Sequence, residues 1–301
     1  MKIAVLEKTN FNDEQKRKLE AIGSVDYFDG LSQNEANQLA PKYNVVVVNW
    51  LDPTEFIMNM KEGSLVALLS TGYGWITNIN EAHKKGVYVA NIPNYSTEAV
   101  SQHLLGLLLG VSKNIFATLN KENNGVMGFE LKGKTVGIIG LGNIGGRFAE
   151  ILNFFGVNIL TYNRNIKNRD NIKDVSLNEL LDSSDIICIS CATNEDSRNI
   201  INMDNIVKVK KGAVIIGCTW NIIEESAIIY ALENELVSSI SFDAAVEGGN
   251  SIDQALSRFG QRVFLTPHIA YNTFESEKNQ IDILIDNILS FSLGNPKNIV
   301  F

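Results

Sequence analysis

The stretch KTVGIIGLGNIGGRFAEIL, residues 134–152, constrains the fold more than any other part of the chain. An apolar, strand-like run ends at Gly140, and a helical pattern starts just beyond it. Between them Gly140, Gly142 and Gly145 form a G-x-G-x-x-G turn. Each glycine has its own reason: Gly140 permits the tight turn, Gly142 lets backbone approach a pyrophosphate, and Gly145 lets helix and strand pack closely. The first-turn amides of Asn143 and Ile144 add hydrogen-bond donors, and the helix dipole favours an anion there. In this strand–turn–helix setting the motif predicts dinucleotide binding.

About 20 residues beyond such a turn, an Asp or Glu grips the ribose 2′-hydroxyl of NAD. Here the run VNILTYN ends in Asn163, followed by Arg164. Asn163 carries no charge to repel a 2′-phosphate, and Arg164 can pair with one through two N–H groups. Lys167 and Arg169 add local positive charge. This pattern predicts a preference for NADP(H) over NAD(H). The alternative is a solvated basic loop with NAD still accepted.

Around this motif, short apolar runs alternate with amphipathic stretches. KIAVLE, VDYF, VVVVNW, LVALLS and YVAN read as strands, and 12–22, 32–40, 53–61 and 77–85 as helices. After Pro93 one long helix is expected over STEAVSQHLLGLLLGVSKNIFATLN, with Ser96 as its N-cap. Alternation then restarts with KTVGIIG, VNILTYN, IICIS, AVIIGC, SISFDA and VFLTPHI. Such alternation implies an α/β fold of two Rossmann-like, doubly wound parallel-sheet domains. A chain of 301 residues is long for one core. The expected division is 1–96 with 272–301 as a flavodoxin-like substrate domain, and 97–271 as the dinucleotide domain, with a cleft between them. The final apolar helix returns to the first domain.

Charge and apolar length exclude several partners. A net charge of −8 supplies no surplus cation for nucleic acid or an anionic membrane. HLLGLLLGV is far shorter than the roughly 20 residues that cross a bilayer, and the amino-terminal MKIAVLEKTN enters a strand without a signal-like apolar block. The three cysteines form no disulfide framework. Cys188 and Cys191 are three apart in a strand and face opposite sides, so they cannot share a metal. A small-molecule enzyme in a reducing cytoplasm fits best.

Hydride exchange with a nicotinamide requires a group that moves the carbonyl or hydroxyl proton, and histidine titrates in the useful range. The chain has three. His83, among charged residues, reads as solvent-exposed, and His103, in the apolar helix, as a satisfied interface residue. His268, in FLTPHIA, ends a strand, where the ligands of open α/β sheets bind. It is the candidate acid/base.

These residues together resemble the D-isomer-specific 2-hydroxyacid dehydrogenases. The segment STGYGWITNINEAHKKGVYVANIPNYSTEAVSQH is similar to that family's substrate loop, domain crossing and first long helix, nearest the glycerate dehydrogenase and hydroxypyruvate reductase branch. GIIGLGNIGGRFA, SISFDA and LTPHIA resemble its cofactor turn, Asp-bearing strand and catalytic-histidine segment. The resemblance implies a homodimer built through the 96–118 helix region. It also implies substrate-carboxylate binding by backbone around Tyr73 and Gly74, nicotinamide orientation by Asp243, and a pocket wall from Cys218 and Thr219. His268 would be the acid in reduction and the base in oxidation.

The chain departs from that pattern at two places. The family's carboxylate-binding arginine sits in an Asn-x-x-Arg-Gly turn; in AVIIGCTWNIIEES the matching positions are Gly217, Trp220 and Asn221. The nearest arginines, Arg198 and Arg258, are too far along the chain for a gap to restore the match. The family's glutamate follows the Asp by five residues and precedes proline, whereas Glu247 follows Asp243 by four and precedes Gly248-Gly249. Glu247 is either the partner that holds His268 or a solvated turn residue. Truncating one side of a buried charge pair costs roughly 2–5 kcal/mol, so the missing arginine matters more. The expected function is an NAD(P)-dependent oxidoreductase with a non-standard substrate, Trp220 lining its site. The alternatives are a substitute cation from Arg258 or Arg262, and a non-catalytic dinucleotide-binding homologue.

Overall fold

A computed structural model of the chain describes residues 1–119, 127–165, 169, 171–219, 221–243 and 255–301. The chain divides into two compact units, Met1–Ser96 with Thr273–Phe301, and Thr97–Asn272.

The first unit is a five-stranded parallel sheet in the order β2-β1-β3-β4-β5. Its strands are β1 (Lys2–Val5), β2 (Ser24–Tyr27), β3 (Val45–Val48), β4 (Ser64–Leu68) and β5 (Val87–Ala90). The valines of β3 show why this sheet is buried on both faces: Val46 and Val48 join one core, Val45 and Val47 the other. The side-chain period of two therefore divides an all-apolar strand between two helix layers. One layer includes the helix Gln33–Leu39, and the other the C-terminal helix Phe274–Ser292, which buries Ile281, Leu284, Ile285 and Ile288. Capping boxes at Asn12/Gln15 and Ser32/Glu35 start the first two helices of this unit. The 53–61 stretch forms only a short 3-10 turn, Phe56–Asn59, rather than a full helix. His83 is not solvent-exposed: its ring packs edge-on between Tyr88 and Phe301.

The second unit carries seven parallel strands in the order β12-β11-β10-β9-β6-β7-β8. They are β6 (Thr135–Ile139), β7 (Asn158–Tyr162), β8 (Ile172–Asp174), β9 (Ile186–Ile189), β10 (Ala213–Gly217), β11 (Val237–Asp243) and β12 (Val263–Thr266). The chain runs outward from β6 to β8, returns to β9 beside β6, and runs outward again. That reversal makes a topological switch point at the carboxyl ends of β6 and β9. β8 escapes sequence reading because it has three residues, with a lysine in the middle.

The long helix after Pro93 is interrupted. It runs Thr97–Ser112, and a second helix follows at Ile115–Leu119. Asn114 between them adopts φ 54, a left-handed conformation that ends a helix. The turn lays Phe116 flat on Phe264 of β12, and a Cβ at Gly110 would collide with the Phe116 ring. Cys188 packs in one core of this unit; Cys191 lies two residues past the end of β9, which stops at Ile189 short of the expected IICISC run, and packs against the other core. Among the described residues, no helix is long and apolar enough to cross a membrane.

Candidate functional site

All strands of the second unit are parallel, so their carboxyl ends gather the residues singled out by sequence onto one sheet edge. Gly140 follows β6, Asn163 follows β7, Cys218 and Thr219 follow β10, Asp243 ends β11 and His268 lies just past β12.

The glycine turn is built as its chemistry requires. Gly140 has φ 97, and a Cβ there would lie 2.5 Å from the Cβ of Cys191. A Cβ at Gly145 would collide with the Gly140 carbonyl oxygen and sit 2.5 Å from Ser190 Oγ, which itself donates to that carbonyl at 2.8 Å. Gly142 differs: a Cβ there meets nothing within 4 Å. It is the N-cap of the helix Asn143–Leu152. The two flanking glycines thus serve packing, and the middle one keeps an open approach to a helix N-terminus. This is the arrangement a pyrophosphate needs, and Gly140, Gly142, Asn143, Ile144 and Gly145 fit a dinucleotide.

Asn163 does more than leave out a carboxylate. Its Oδ1 accepts the Leu141 amide at 2.5 Å, and its Nδ2 donates to Thr161 Oγ1 at 2.9 Å. Thr161 donates in turn to the Ile138 carbonyl at 3.1 Å. The side chain therefore ties the end of β7 into the glycine turn. Arg164 pairs with Asp196 at 3.0 Å, both largely exposed. An exposed pair of this kind contributes at most about 1 kcal/mol.

The His268 turn is the most tightly specified part of this edge. Pro267 holds φ near the value an inverse γ-turn needs, and the His268 amide donates back to the Thr266 carbonyl at 2.9 Å. His268 then adopts φ 52, a conformation costly for a side-chain-bearing residue. Asp243, 1% exposed, holds the turn in place. Its Oδ1 accepts the Ile269 amide at 2.9 Å, and its Oδ2 the Ala270 amide at 2.7 Å. The His268 side chain stays exposed, with the ring of Tyr271 edge-on at 5.5 Å.

Two residues that sequence reasoning missed complete this cluster. Thr266 donates its hydroxyl hydrogen to Asp243 Oδ1 at 2.5 Å, and His103 Nε2 lies 3.0 Å from the same hydroxyl oxygen. With the hydroxyl proton directed at Asp243, Thr266 accepts from His103, so Nε2 carries a hydrogen. His103 is thus part of the Asp243 cluster, with Nε2 3.7 Å from the carboxylate. Burial pushes its pKa below the usual histidine value, and Asp243 opposes that shift. No sequence pattern marks Thr266, because nothing in LTPHIA distinguishes a bonded threonine from a spacer.

Cys218 is half-buried beside the Ile189 carbonyl, and desolvation pushes its thiol up to about 11. Thr219 Oγ1 lies 3.9 Å from its Sγ. Trp220 and Glu247 lie outside the described residues. The chain just after Trp220 is anchored: the Asn221 carbonyl accepts the Asn199 amide at 3.1 Å, and Ile222 accepts from Ile201 at 3.1 Å. The two loop arginines considered as replacements for the missing cation are committed elsewhere. Arg258 pairs with Glu233, and Arg262 donates to the carbonyls of Leu232, Val237 and Ser238. Those partners stand where β11 begins, at the edge opposite His268.

In the first unit, Tyr73 and Gly74 lie in the loop after β4, at the carboxyl edge of that sheet. The Tyr73 carbonyl accepts the Ile76 amide at 3.0 Å, and a Cβ at Gly74 would meet open space.

A glycine turn of this geometry on a parallel sheet, with a histidine past the last strand, narrows the family, and comparison with known proteins decides it. The profile described as D-isomer specific 2-hydroxyacid dehydrogenase, NAD binding domain, matches residues 105–270. The chain belongs to the D-isomer-specific 2-hydroxyacid dehydrogenases. Among proteins related to this family member, the hydroxypyruvate reductase of Blautia hydrogenotrophica is 31% identical over 100% of this chain and 99% of its own. The D-3-phosphoglycerate dehydrogenase of Archaeoglobus fulgidus is 28% identical over 89% of this chain, but the match spans 53% of that protein. Among solved structures, an acyclic imino acid reductase in complex with NADPH and D-Arg superposes with a TM-score of 0.88 at 27% identity, covering 100% of both chains. As a D-2-hydroxyacid dehydrogenase homologue, the chain is a nicotinamide-dependent oxidoreductase.

Proposed function

We propose that this dehydrogenase homologue prefers NADP(H) and reduces a substrate other than a simple 2-oxo acid, with His268 exchanging the proton. One observation carries the departure: the position the family gives to its arginine reads Trp220, and Arg258 and Arg262 are bound at the opposite sheet edge.

The substrate class this favours is an imine of a 2-oxo acid. A protonated imine is itself a cation. A guanidinium about 4 Å from it would be unfavourable by about 4 kcal/mol at an effective dielectric of 20. An indole face attracts the same cation by about 0.5–2 kcal/mol. Replacing arginine by tryptophan thus turns a site suited to a neutral carbonyl toward a charged C=N bond. The similarity to an acyclic imino acid reductase bound to NADPH supports the same reading.

Gly140, Gly142, Asn143, Ile144 and Gly145 hold the pyrophosphate, and Asn163 keeps their turn closed. Arg164 leaves Asp196 to meet the 2′-phosphate. Cys218, Thr219 and the remaining acceptor site of Asp243 line the nicotinamide. The bound nicotinamide supplies the hydride. His268 gives a proton to the imine nitrogen, or keeps it protonated, so that carbon gains hydride and nitrogen gains hydrogen. Glu247 holds the His268 ring, and the backbone of Tyr73 and Gly74 binds the substrate carboxylate. The 96–118 helix region forms a homodimer contact, and three free thiols fit a reducing, cytoplasmic setting.

Absorbance of NADPH and NADH, followed with glyoxylate, hydroxypyruvate and pyruvate with and without methylamine, tests this. Faster turnover when amine is present is expected, with the order reversed by Trp220→Arg. Efficient reduction of amine-free 2-oxo acids by wild type, with no gain in Trp220→Arg, overturns the substrate class. Tight NADPH binding with no turnover at all overturns catalysis, leaving a dinucleotide-binding protein.

A further inference from the structure

The segment after β4 carries an asymmetry in its backbone groups. Asn91 Nδ2 donates to the Thr71 carbonyl at 2.7 Å, and Ser70 Oγ donates to the Gly72 carbonyl at 2.8 Å. Gln280 Nε2, from the C-terminal helix, donates to the Leu69 carbonyl at 2.6 Å. The amides of Gly72, Tyr73 and Gly74, by contrast, have no acceptor among the described residues. Gly72 and Gly74 are exposed, so water satisfies these donors until a ligand displaces it.

A peptide unit joins the carbonyl of one residue to the amide of the next. It is planar and trans, so its C=O and N–H point in opposite directions. The carbonyl of Thr71 and the amide of Gly72 belong to one such unit, and the carbonyl of Gly72 and the amide of Tyr73 to the next. The chain has no cis peptide among its described residues. Anchoring the two carbonyls therefore fixes the direction of the two amides, and a donor bound at the carbonyl also strengthens the N–H of the same unit. Asn91 is itself held: its carbonyl accepts from Asn287 at 2.9 Å, and its amide donates to Asn298 at 3.1 Å. Asn287 is 1% exposed. The amide directions thus rest on the sheet and the C-terminal helix, not on the loop alone.

We infer that Asn91 and Ser70 are positioning residues for the substrate carboxylate, holding the Gly72 and Tyr73 peptide units as paired donors. The inference rests on the proposed role of this loop in carboxylate binding. Oxamate, a small carboxylate, serves as the probe, measured by calorimetry on the full chain saturated with NADPH. Asn91→Asp, isosteric but lacking the donor, and Ser70→Ala are expected to weaken oxamate binding by about tenfold. NADPH affinity should stay unchanged, and Ser70→Thr should restore oxamate binding to within about twofold of wild type. Unchanged oxamate affinity in folded Ser70→Ala and Asn91→Asp overturns the inference, as does parallel loss of NADPH affinity, which marks a merely structural role. Failure of wild type to bind oxamate overturns the carboxylate reading of the loop itself, and the inference with it.

Discussion

The Asp243 carboxylate accepts the Ala270 backbone amide at 2.7 Å, two residues beyond His268. It also accepts the Ile269 amide and the Thr266 hydroxyl, so three of its roughly four acceptor sites serve the histidine turn. Sequence resemblance gives this aspartate to the nicotinamide. The structure gives it a second task, closing a turn that holds His268 in a left-handed conformation.

Asp243→Asn should therefore impair the proton-transfer step more than cofactor binding. An amide in place of the carboxylate turns an N–H toward one of two backbone N–H groups. A fall in kcat of about tenfold to a hundredfold is expected, from the loss of one or two charge-assisted bonds. The dissociation constant for NADPH should rise less. Fluorescence titration and steady-state kinetics on the same preparation check the split.

His268→Asn separates chemistry from conformation. Asparagine tolerates φ near 52 better than other side-chain-bearing residues, so the melting temperature should hold within about 2 °C. The rate should drop about a hundredfold to ten-thousandfold, the usual contribution of a general acid or base. His268→Val should lose the rate and also about 1–3 kcal/mol of stability, read by denaturant unfolding.

Gly142→Ala and Gly145→Ala make a contrasting pair. A methyl at Gly142 meets no protein atom within 4 Å, so the fold should be unaffected while NADPH affinity falls at least about tenfold. A methyl at Gly145 collides with the Gly140 carbonyl, so the domain itself should be destabilised, by about 1–3 kcal/mol. Equal loss of stability in both would contradict the assignment of roles.

On the proposed role of Arg164 at the 2′-phosphate, Arg164→Ala should raise the NADPH dissociation constant about tenfold and leave NADH unchanged, because NADH has no 2′-phosphate for the guanidinium to meet. Asp196→Asn should tighten NADPH binding, since it frees Arg164 from its 3.0 Å partner. Titrating both cofactors against both variants decides the preference.

His103 yields a pH prediction. Burial lowers its pKa in the folded chain below the usual value near 6.5. Between those two values the unfolded chain binds more protons than the folded one, so stability rises with pH there and falls as pH drops below about 6.5. Melting temperatures from pH 5 to pH 8 should show a shallower acid loss in His103→Gln, which keeps an N–H for Thr266. Identical profiles would show that His103 does not contribute.

Much of the fold and of the candidate site is legible in the order of the residues. The central strands β3, β4, β9 and β10 sit where apolar density places them, because a strand buried on both faces has no polar alternation to blur its limits, whereas β8, half-exposed with a lysine in its middle, does not. The glycine turn is legible because each glycine answers a steric demand that no other residue meets. The break at Asn114 is not, since an asparagine inside an apolar helical pattern reads as tolerated until Phe116 is seen stacking on Phe264. His83 is misplaced by sequence, and the partner of His103 is not legible in it, for a related reason. Helical neighbours along the chain do not reveal which partner from a distant strand, Thr266 or Tyr88, the ring will meet.

By itself the sequence determined the class of fold, the dinucleotide motif, the candidate proton carrier and the substitution at Trp220. These depend on local periods, glycine sterics and residue identity, all of which are properties of contiguous chain. Only the tertiary structure decided that Asp243 closes the His268 turn, that Asn163 locks the glycine turn and that Arg262 caps carbonyls at the opposite edge of the sheet. Each of those is a hydrogen bond between residues about 20 to 30 positions apart, and strand order and register alone settle which such groups meet.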